Sequence, residues 1–377
     1  MKKNILFLSF LLITWLVSAQ PQVNADNTVT FRVFAAKADS VKIEGDIIME
    51  FTKKFDFTSN MPVPMTKGSD GFWSVTFGPL DPNPYLYNIQ IDGKSMTDPN
   101  NFRTFTGQKY RKSILLVNTP DTSALWEIQK VDHGTVHHHT YYSLTAKSLT
   151  ELFVYTPPGY EEGNIKYPVL YLLHGRGEKA DSWLNAGFVD QIADNLIAGN
   201  KAKPMIIVMP FGWVIPPKTP NNEIVDLLMT NLEKEMFISI IPLVESSYRV
   251  YSDAGHSAIA GFSMGGAQTA YIGLNHPEKF SYIGIFSAGL PNSKIDHKEL
   301  LDNPDETNRR LKYFFLGAGS QDNIGPGGSS IDGQRSLDTL LTRKGIKHTF
   351  YEMPDAGHTW YAWRYYLSEK FLPFLWK

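Results

Sequence analysis

Cysteine is absent from all 377 residues. That excludes disulfides, a thiol nucleophile, thiolate metal sites and lipidation of an N-terminal cysteine. Neither sign of charge dominates, with 36 Lys and Arg against 38 Asp and Glu. The chain therefore carries no basic field suited to nucleic acid, and net charge does not select its ligand. Internal repeats and low-complexity tracts are also missing. The apolar stretch Ile5 to Val17 is too short for a comfortable membrane span. It follows Lys2-Lys3 and runs into the small residues Val17-Ser18-Ala19, so residues 1–20 read as a cleavable leader. The expected location is exported, periplasmic or secreted, with no membrane attachment once the leader is removed.

What is present supports two packed domains, since 42% of residues are hydrophobic and 13% aromatic. From Val23 to about Val117 the pattern is all β. Val29 to Phe34, Val41 to Ile43, Trp73 to Phe77 and Tyr85 to Ile91 alternate, with Gly, Pro and Asp turns between them. Short strands with one apolar face predict a β-sandwich over 21–118. Trp73 and Tyr85 to Tyr87 could stack on a sugar, or they could be core. Residues 119–145 are expected to be a linker with a short entry segment. His137-His138-His139 within it are adjacent, so their side chains diverge and suit a strand edge better than a metal site.

From Thr150 the rhythm changes to apolar strands alternating with helices, over a unit expected at 146–377. Strands are expected at Glu151 to Tyr155, Val169 to Leu173, Met205 to Met209, Ser257 to Ala260, Tyr282 to Phe286, Tyr313 to Leu316 and His348 to Met353. Helices are expected at Phe188 to Ala198, Leu227 to Glu245 with Pro242 as a bend, Gly266 to Asn275, Gln334 to Lys344 and Trp360 to Leu372. This alternation predicts an α/β fold with a doubly wound, mainly parallel sheet.

The chemistry concentrates at Gly261-Phe262-Ser263-Met264-Gly265, a G-x-S-x-G turn between a strand and a helix. Such a turn lifts a serine hydroxyl above the sheet and aims the next N–H at a developing oxyanion. A serine hydroxyl needs a base, and the base needs an acid to orient it. Asp322 and His358 lie in loops just past the carboxyl ends of two later strands, in the order Ser, Asp, His. Asp355 is the competing acid, but it sits only three residues from His358 on the same loop. The second oxyanion donor is expected from the loop after Tyr171-Leu172-Leu173-His174-Gly175, with the Arg176 N–H first and Gly177 as the alternate. His174 is expected to bond backbone, and His256 to be structural. Trp183, Trp213, Phe262 and Trp360, with Gly177, are candidates for the wall of an acyl pocket; Trp363 is expected in the core.

Two resemblances follow from these residues. Val29-Thr-Phe-Arg-Val-Phe-Ala-Ala, Gly71-Phe72-Trp73-Ser74-Val75, the Tyr85 to Gly93 run and Thr97-Asp98-Pro99-Asn100 make the first hundred residues resemble immunoglobulin-like domains of the isoamylase-N-terminal or glycogen-binding type. Val154-Tyr-Thr-Pro-Pro-Gly-Tyr160, Tyr167 to Gly175, Asp181-Ser-Trp183, Ala258 to Gly266 and Gly357-His-Thr-Trp360 with Trp363-Arg364 are similar to the esterase-D-like branch of the α/β-hydrolases. Within it, the nearest group is the feruloyl and acetyl-xylan esterases. The resemblance implies a serine ester hydrolase with Ser263, Asp322 and His358 as triad, Met264 and Arg176 as oxyanion donors, and no metal or organic cofactor. It also implies esterified plant cell-wall polysaccharide, arabinoxylan above all, as substrate. Two departures, Ala180 in place of an acid and Leu149-Thr150-Glu151 in place of an arginine, bear on loop packing or substrate choice. Acetyl-xylan, a siderophore trilactone, or carbohydrate binding without catalysis remain as alternatives.

Overall fold

Alternation in the first hundred residues sorts side chains onto two faces. In the strand Val29–Phe34, Val29, Phe31 and Val33 are buried while Thr30, Arg32 and Phe34 are not. A computed structural model of the protein describes residues 21–55, 62–221, 223–289, 301–324 and 330–377; the leader expected over 1–20 lies outside them. The N-terminal part forms two antiparallel sheets. One is ordered Gln22–Val23, Val29–Phe34, Phe72–Phe77, Thr66–Lys67, and the other is built around Val41–Glu44, Asn83–Ile91 and Arg111–Val117. Trp73, Tyr85 and Tyr87 lie buried between them, with Phe31 and Ile89. Their faces are therefore spent on packing, which removes the sugar-stacking alternative for these three rings.

Among the described residues, one helix interrupts this all-β region, at Asp46–Thr52. Seven residues are too few to display a helical period, and its adjacent buried residues Ile47, Ile48 and Met49 read equally well as a strand end. The helix lies on the side that faces the second half of the chain, which matters below.

That second half is one eight-stranded sheet. Its order is Thr135–Ser143, Ser148–Thr156, Ile206–Pro210, Val169–Leu173, Ser257–Phe262, Tyr282–Phe286, Tyr313–Gly319, Thr349–Met353. The first three strands pair antiparallel and all later pairs are parallel. Val169–Leu173, Ile206–Pro210 and Tyr282–Phe286 have every residue buried, as a sheet covered on both faces demands. Ile224–Glu235 and Met264–Asn275 cover one face; Val189–Ala198 and Trp360–Tyr365 cover the other. The doubly wound, mainly parallel α/β arrangement is therefore the observed one.

Three expectations change in detail. The stretch taken for linker contributes the edge strand Thr135–Ser143, and His137, His138 and His139 bond to Thr156, Glu151 and Tyr248 respectively. His137 and His139 share one face and both meet the Tyr248 ring, at 5.6 and 5.7 Å, while His138 stacks on Phe153 on the other face, so the three rings do not converge. The long helix before Tyr248 is in three pieces, Ile224–Glu235, a π-helical turn at Met236–Ile240, and Ile241–Ser247 with Pro242 in its first turn. Proline lacks an N–H, and the wide turn before it absorbs the missing bond. The helix from Trp360 likewise gives way to a π-helical stretch at Tyr366–Phe371.

The two halves are joined by a buried cation. Arg364 donates to Asn83 Oδ1 at 2.8 Å and Pro84 O at 2.7 Å on the sandwich, and to Ala186 O at 2.5 Å on its own half. With Arg364 only 5% exposed, losing it would strand three acceptors out of reach of water. Arg364→Ala should lower the unfolding free energy by about 3 kcal/mol or more. A urea titration followed by circular dichroism checks this; an unchanged midpoint would mean the clamp contributes nothing.

Candidate active site

Ser263 has φ 54° and ψ −120°, a conformation that a side chain normally avoids. It is enforced by crowding around the turn. A Cβ on Gly261 would lie 2.6 Å from Gly265 O, and one on Gly265 would lie 2.6 Å from His174 O. Only glycine lets the helix start press against the end of Val169–Leu173, and that approach leaves the residue between them standing above the sheet. Ser263 N–H donates to Phe286 O at 2.9 Å, and Ala267 N–H to Ser263 O at 2.9 Å, which pin the strained residue from both sides.

Parallel register brings the partners to the same edge. Leu173 pairs with Gly261, Phe286 with both Phe262 and Gly317, and Gly319 with Met353, so five strand ends line up. The loops beyond Gly319 and Met353 are tied together by Ser320 N–H to Met353 O at 2.8 Å and Gln321 N–H to Ala356 O at 2.9 Å. Through them His358 Nδ1 stands 2.9 Å from Asp322 Oδ1, and His358 Nε2 stands 2.9 Å from Ser263 Oγ. Asp322 is fully buried. Asp355, the competing acid, is exposed, and its backbone N–H bonds to Ser320 Oγ at 3.0 Å. The geometry is that of a nucleophile, a base and an orienting carboxylate.

The loop after Leu173 closes the site on another side. Gly175 O accepts from His174 Nδ1 at 2.8 Å and Glu178 N–H at 3.3 Å, which makes residues 175–178 a tight turn, with Gly177 at φ 79°. Arg176 is exposed at its tip, whereas Met264 is buried at the start of the helix after Ser263. His174 is buried and its Nε2 accepts from Gly212 N–H at 2.9 Å, so the ring is the neutral Nδ1–H tautomer. Burial holds its pKa down at about 4, which keeps it from taking a proton.

The proposed acyl wall requires correction. Trp183, Phe262 and Trp360 are at most 3% exposed, so they offer no surface to a substrate. They form an aromatic stack with Trp363 beneath the serine: Phe262 lies 3.9 Å from Trp363 and 4.8 Å from Trp360, centroid to centroid, and Trp183 meets both Phe262 and Trp360 edge-on. Large rings on the strand before the turn and the helix after His358 fill the space where those elements converge, which is a packing role. Of the expected wall, Trp213 is partly buried against the core and Gly177 O accepts from Gln108 N–H. Trp363, expected only as core, also meets the His358 ring edge-on at 5.0 Å while its Nε1 donates to Ser287 Oγ at 2.9 Å. Sequence reasoning could not separate this seat for the base from ordinary packing.

The fold and this side-chain set define an α/β-hydrolase. Residues 143–374 match the family model described as "Putative esterase", and the chain belongs to that esterase family. It is 30% identical over 353 residues to "Endo-1,4-beta-xylanase/feruloyl esterase" of Xylanibacter ruminicola, covering 91% of this chain and 44% of that one. It is 28% identical to "Endo-1,4-beta-xylanase Y" of Acetivibrio thermocellus, covering 63% of this chain and 23% of that one. The chain thus spans less than half the length of these two curated relatives. Among solved structures, a ferulic acid esterase from Anaeromyces mucronatus in complex with ferulic acid superposes with a TM-score of 0.56 at 26% identity, over 66% of this chain and 92% of its own. Enterochelin esterase from Shigella flexneri superposes with a TM-score of 0.66 over 95% of both chains; at 16% identity that likeness is one of fold, and it extends through both halves.

Glu178, beside this loop, is buried, and burial pushes its carboxyl up to about 8 from 4.5. The folded protein therefore keeps a proton that the unfolded chain releases, and stability falls as pH rises from about 4.5 towards 8, by at most about 1.4 kcal/mol per pH unit. Glu178→Gln removes that dependence. Its melting temperature should exceed the wild type's by more at pH 8 than at pH 5, and a constant gap across pH would contradict the assignment.

Proposed function

We propose that this protein is an exported serine hydrolase of carboxylic esters carried by plant cell-wall polysaccharide, with feruloyl esters of arabinoxylan as its preferred substrates. The observation that carries the reading is the continuous contact from Asp322 through His358 to Ser263, with 2.9 Å at each step. His358 Nε2 takes the Ser263 proton as Oγ attacks the ester carbonyl carbon. The carbonyl π electrons move to oxygen, where the N–H groups of Met264 and Arg176 receive the charge. Asp322 holds the imidazole by Nδ1 and stabilises the cation formed on it. Collapse of the tetrahedral adduct breaks the bond to the sugar oxygen, which leaves as an alcohol with the proton from His358. Water then attacks the acyl-enzyme with His358 as base, releasing the acid and restoring Ser263. The chemistry calls for no metal or organic cofactor.

The Xylanibacter relative and the Anaeromyces esterase favour a hydroxycinnamoyl acid over other acyl groups. A siderophore trilactone is the second reading, favoured by the Shigella enzyme, whose fold matches this chain through both halves. Export rests on the leader-like residues 1–20. Among the described residues, no helix is long and apolar enough to cross a membrane.

Wild type should hydrolyse methyl ferulate faster than p-nitrophenyl acetate or a trilactone siderophore. Ser263→Ala should cost about 10⁶-fold in kcat, and Asp322→Asn about 10⁴-fold, by leaving the wrong imidazole tautomer. Chromatographic quantification of released ferulate checks both. A wild type inert on all three esters, no faster than Ser263→Ala, would overturn the reading.

A further inference from the structure

The N-terminal sandwich grips the chain on both sides of His358. On one side, Thr359 donates its hydroxyl to Glu50 Oε1 at 2.6 Å, a buried contact between residues 309 apart in sequence. Thr359 is the N-cap of Trp360–Tyr365, yet it makes no side-chain bond to that helix; its hydroxyl is committed to Glu50 instead. On the other side, Phe55 lies flush on Gly357, where a Cβ would meet Phe55 Cδ1 at 2.3 Å. The same sandwich also reaches the loop that carries Arg176. Gln108 N–H donates to Gly177 O at 2.8 Å, and Gln108 Nε2 donates to Glu178 O at 3.0 Å.

These contacts converge on two loop-borne parts of the site. Ser263 is fixed by its turn, and Asp322 is buried behind Gly319. His358 and Arg176 stand on loops and are less buried than Asp322, and a misplacement of about 1 Å there can cost about 10²-fold in rate. A buried carboxyl oxygen accepting a hydroxyl at 2.6 Å is short and directional enough to fix a loop. Burial also raises the Glu50 carboxyl above its ordinary pKa, so a neutral amide oxygen can serve as the same acceptor.

We propose that the sandwich is a positioning part of the active site: Glu50, through Thr359, sets His358, and Gln108 sets the oxyanion loop. The proposal rests on Ser263, His358 and Asp322 being the reacting groups. It differs from a glycan-capture role, which would alter action on polymer and leave small esters untouched.

The test uses the full chain and methyl ferulate, which is too small to bridge to a polysaccharide site. Glu50→Ala should lower kcat by about tenfold or more with KM little changed, and Gln108→Ala should lower it by a smaller factor. Glu50→Gln keeps the acceptor oxygen and should restore most of the rate. If Glu50→Ala does not fold, Thr359→Val and Thr359→Ser carry the same comparison, slow without the hydroxyl and fast with it. Equal kcat for wild type and Glu50→Ala, or a Glu50→Gln as slow as the alanine variant, overturns the proposal while the ester-hydrolase reading stands. A wild type inert on the ester removes both.

Discussion

The site depends on one close approach of backbone to backbone, where the helix Met264–Asn275 begins against the carboxyl end of Val169–Leu173. Gly265 lies so near His174 O and Leu173 O that no side chain fits between them. The proposed catalytic set hangs from this crossing. It forces Ser263 into its strained conformation, worth about 1–3 kcal/mol that the surrounding packing must offset. It also brings the first N–H of the helix alongside the loop of Arg176. The helix that follows would be a poor one in isolation, since Met264–Asn275 contains three glycines. Burial of nearly its whole length stabilises it, so tertiary contact outweighs local preference here.

Around that crossing the polar groups divide into those that act and those kept silent. His174 is buried as a neutral imidazole between Gly212 N–H and Gly175 O, and Glu178 is pushed towards its neutral form. Neither competes for the proton that the proposed mechanism moves between Ser263 and His358. The aromatic stack of Trp183, Phe262, Trp360 and Trp363 adds a dry floor beneath them. Substrate discrimination must therefore come from the rim rather than from the floor.

Much of this was legible in the sequence for a physical reason. Strands buried on both faces have to be uniformly apolar, so Val169–Leu173 and Tyr282–Phe286 announce themselves to the residue. That Ser263, Asp322 and His358 meet follows from strand ends that parallel register must align. What stayed hidden lies where chemistry depends on a partner distant in sequence. Nothing around Glu50 distinguishes it from a surface acid, because only the docked Thr359 makes it a buried acceptor. Trp183 and Trp360 misled in the opposite sense: a tryptophan near a serine turn suits a pocket wall or a floor equally, and only packing decides. The edge strand Thr135–Ser143 escaped notice because a strand with one solvated face and three histidines has little apolar signal.

The contacts between the halves also impose an order on biosynthesis. Glu50 and Asn83 find their partners at Thr359 and Arg364, separations of 309 and 281 residues. On the ribosome the sandwich can fold early, but its docking face must wait, uncovered, until almost all of the described chain has emerged. During that interval Phe55 and the buried flank of the helix Asp46–Thr52 are open to the wrong neighbours. A chain assembled this way brings His358 to Ser263 and Thr359 to Glu50 only after residue 359 has emerged, so a nascent chain stopped short of it lacks both contacts.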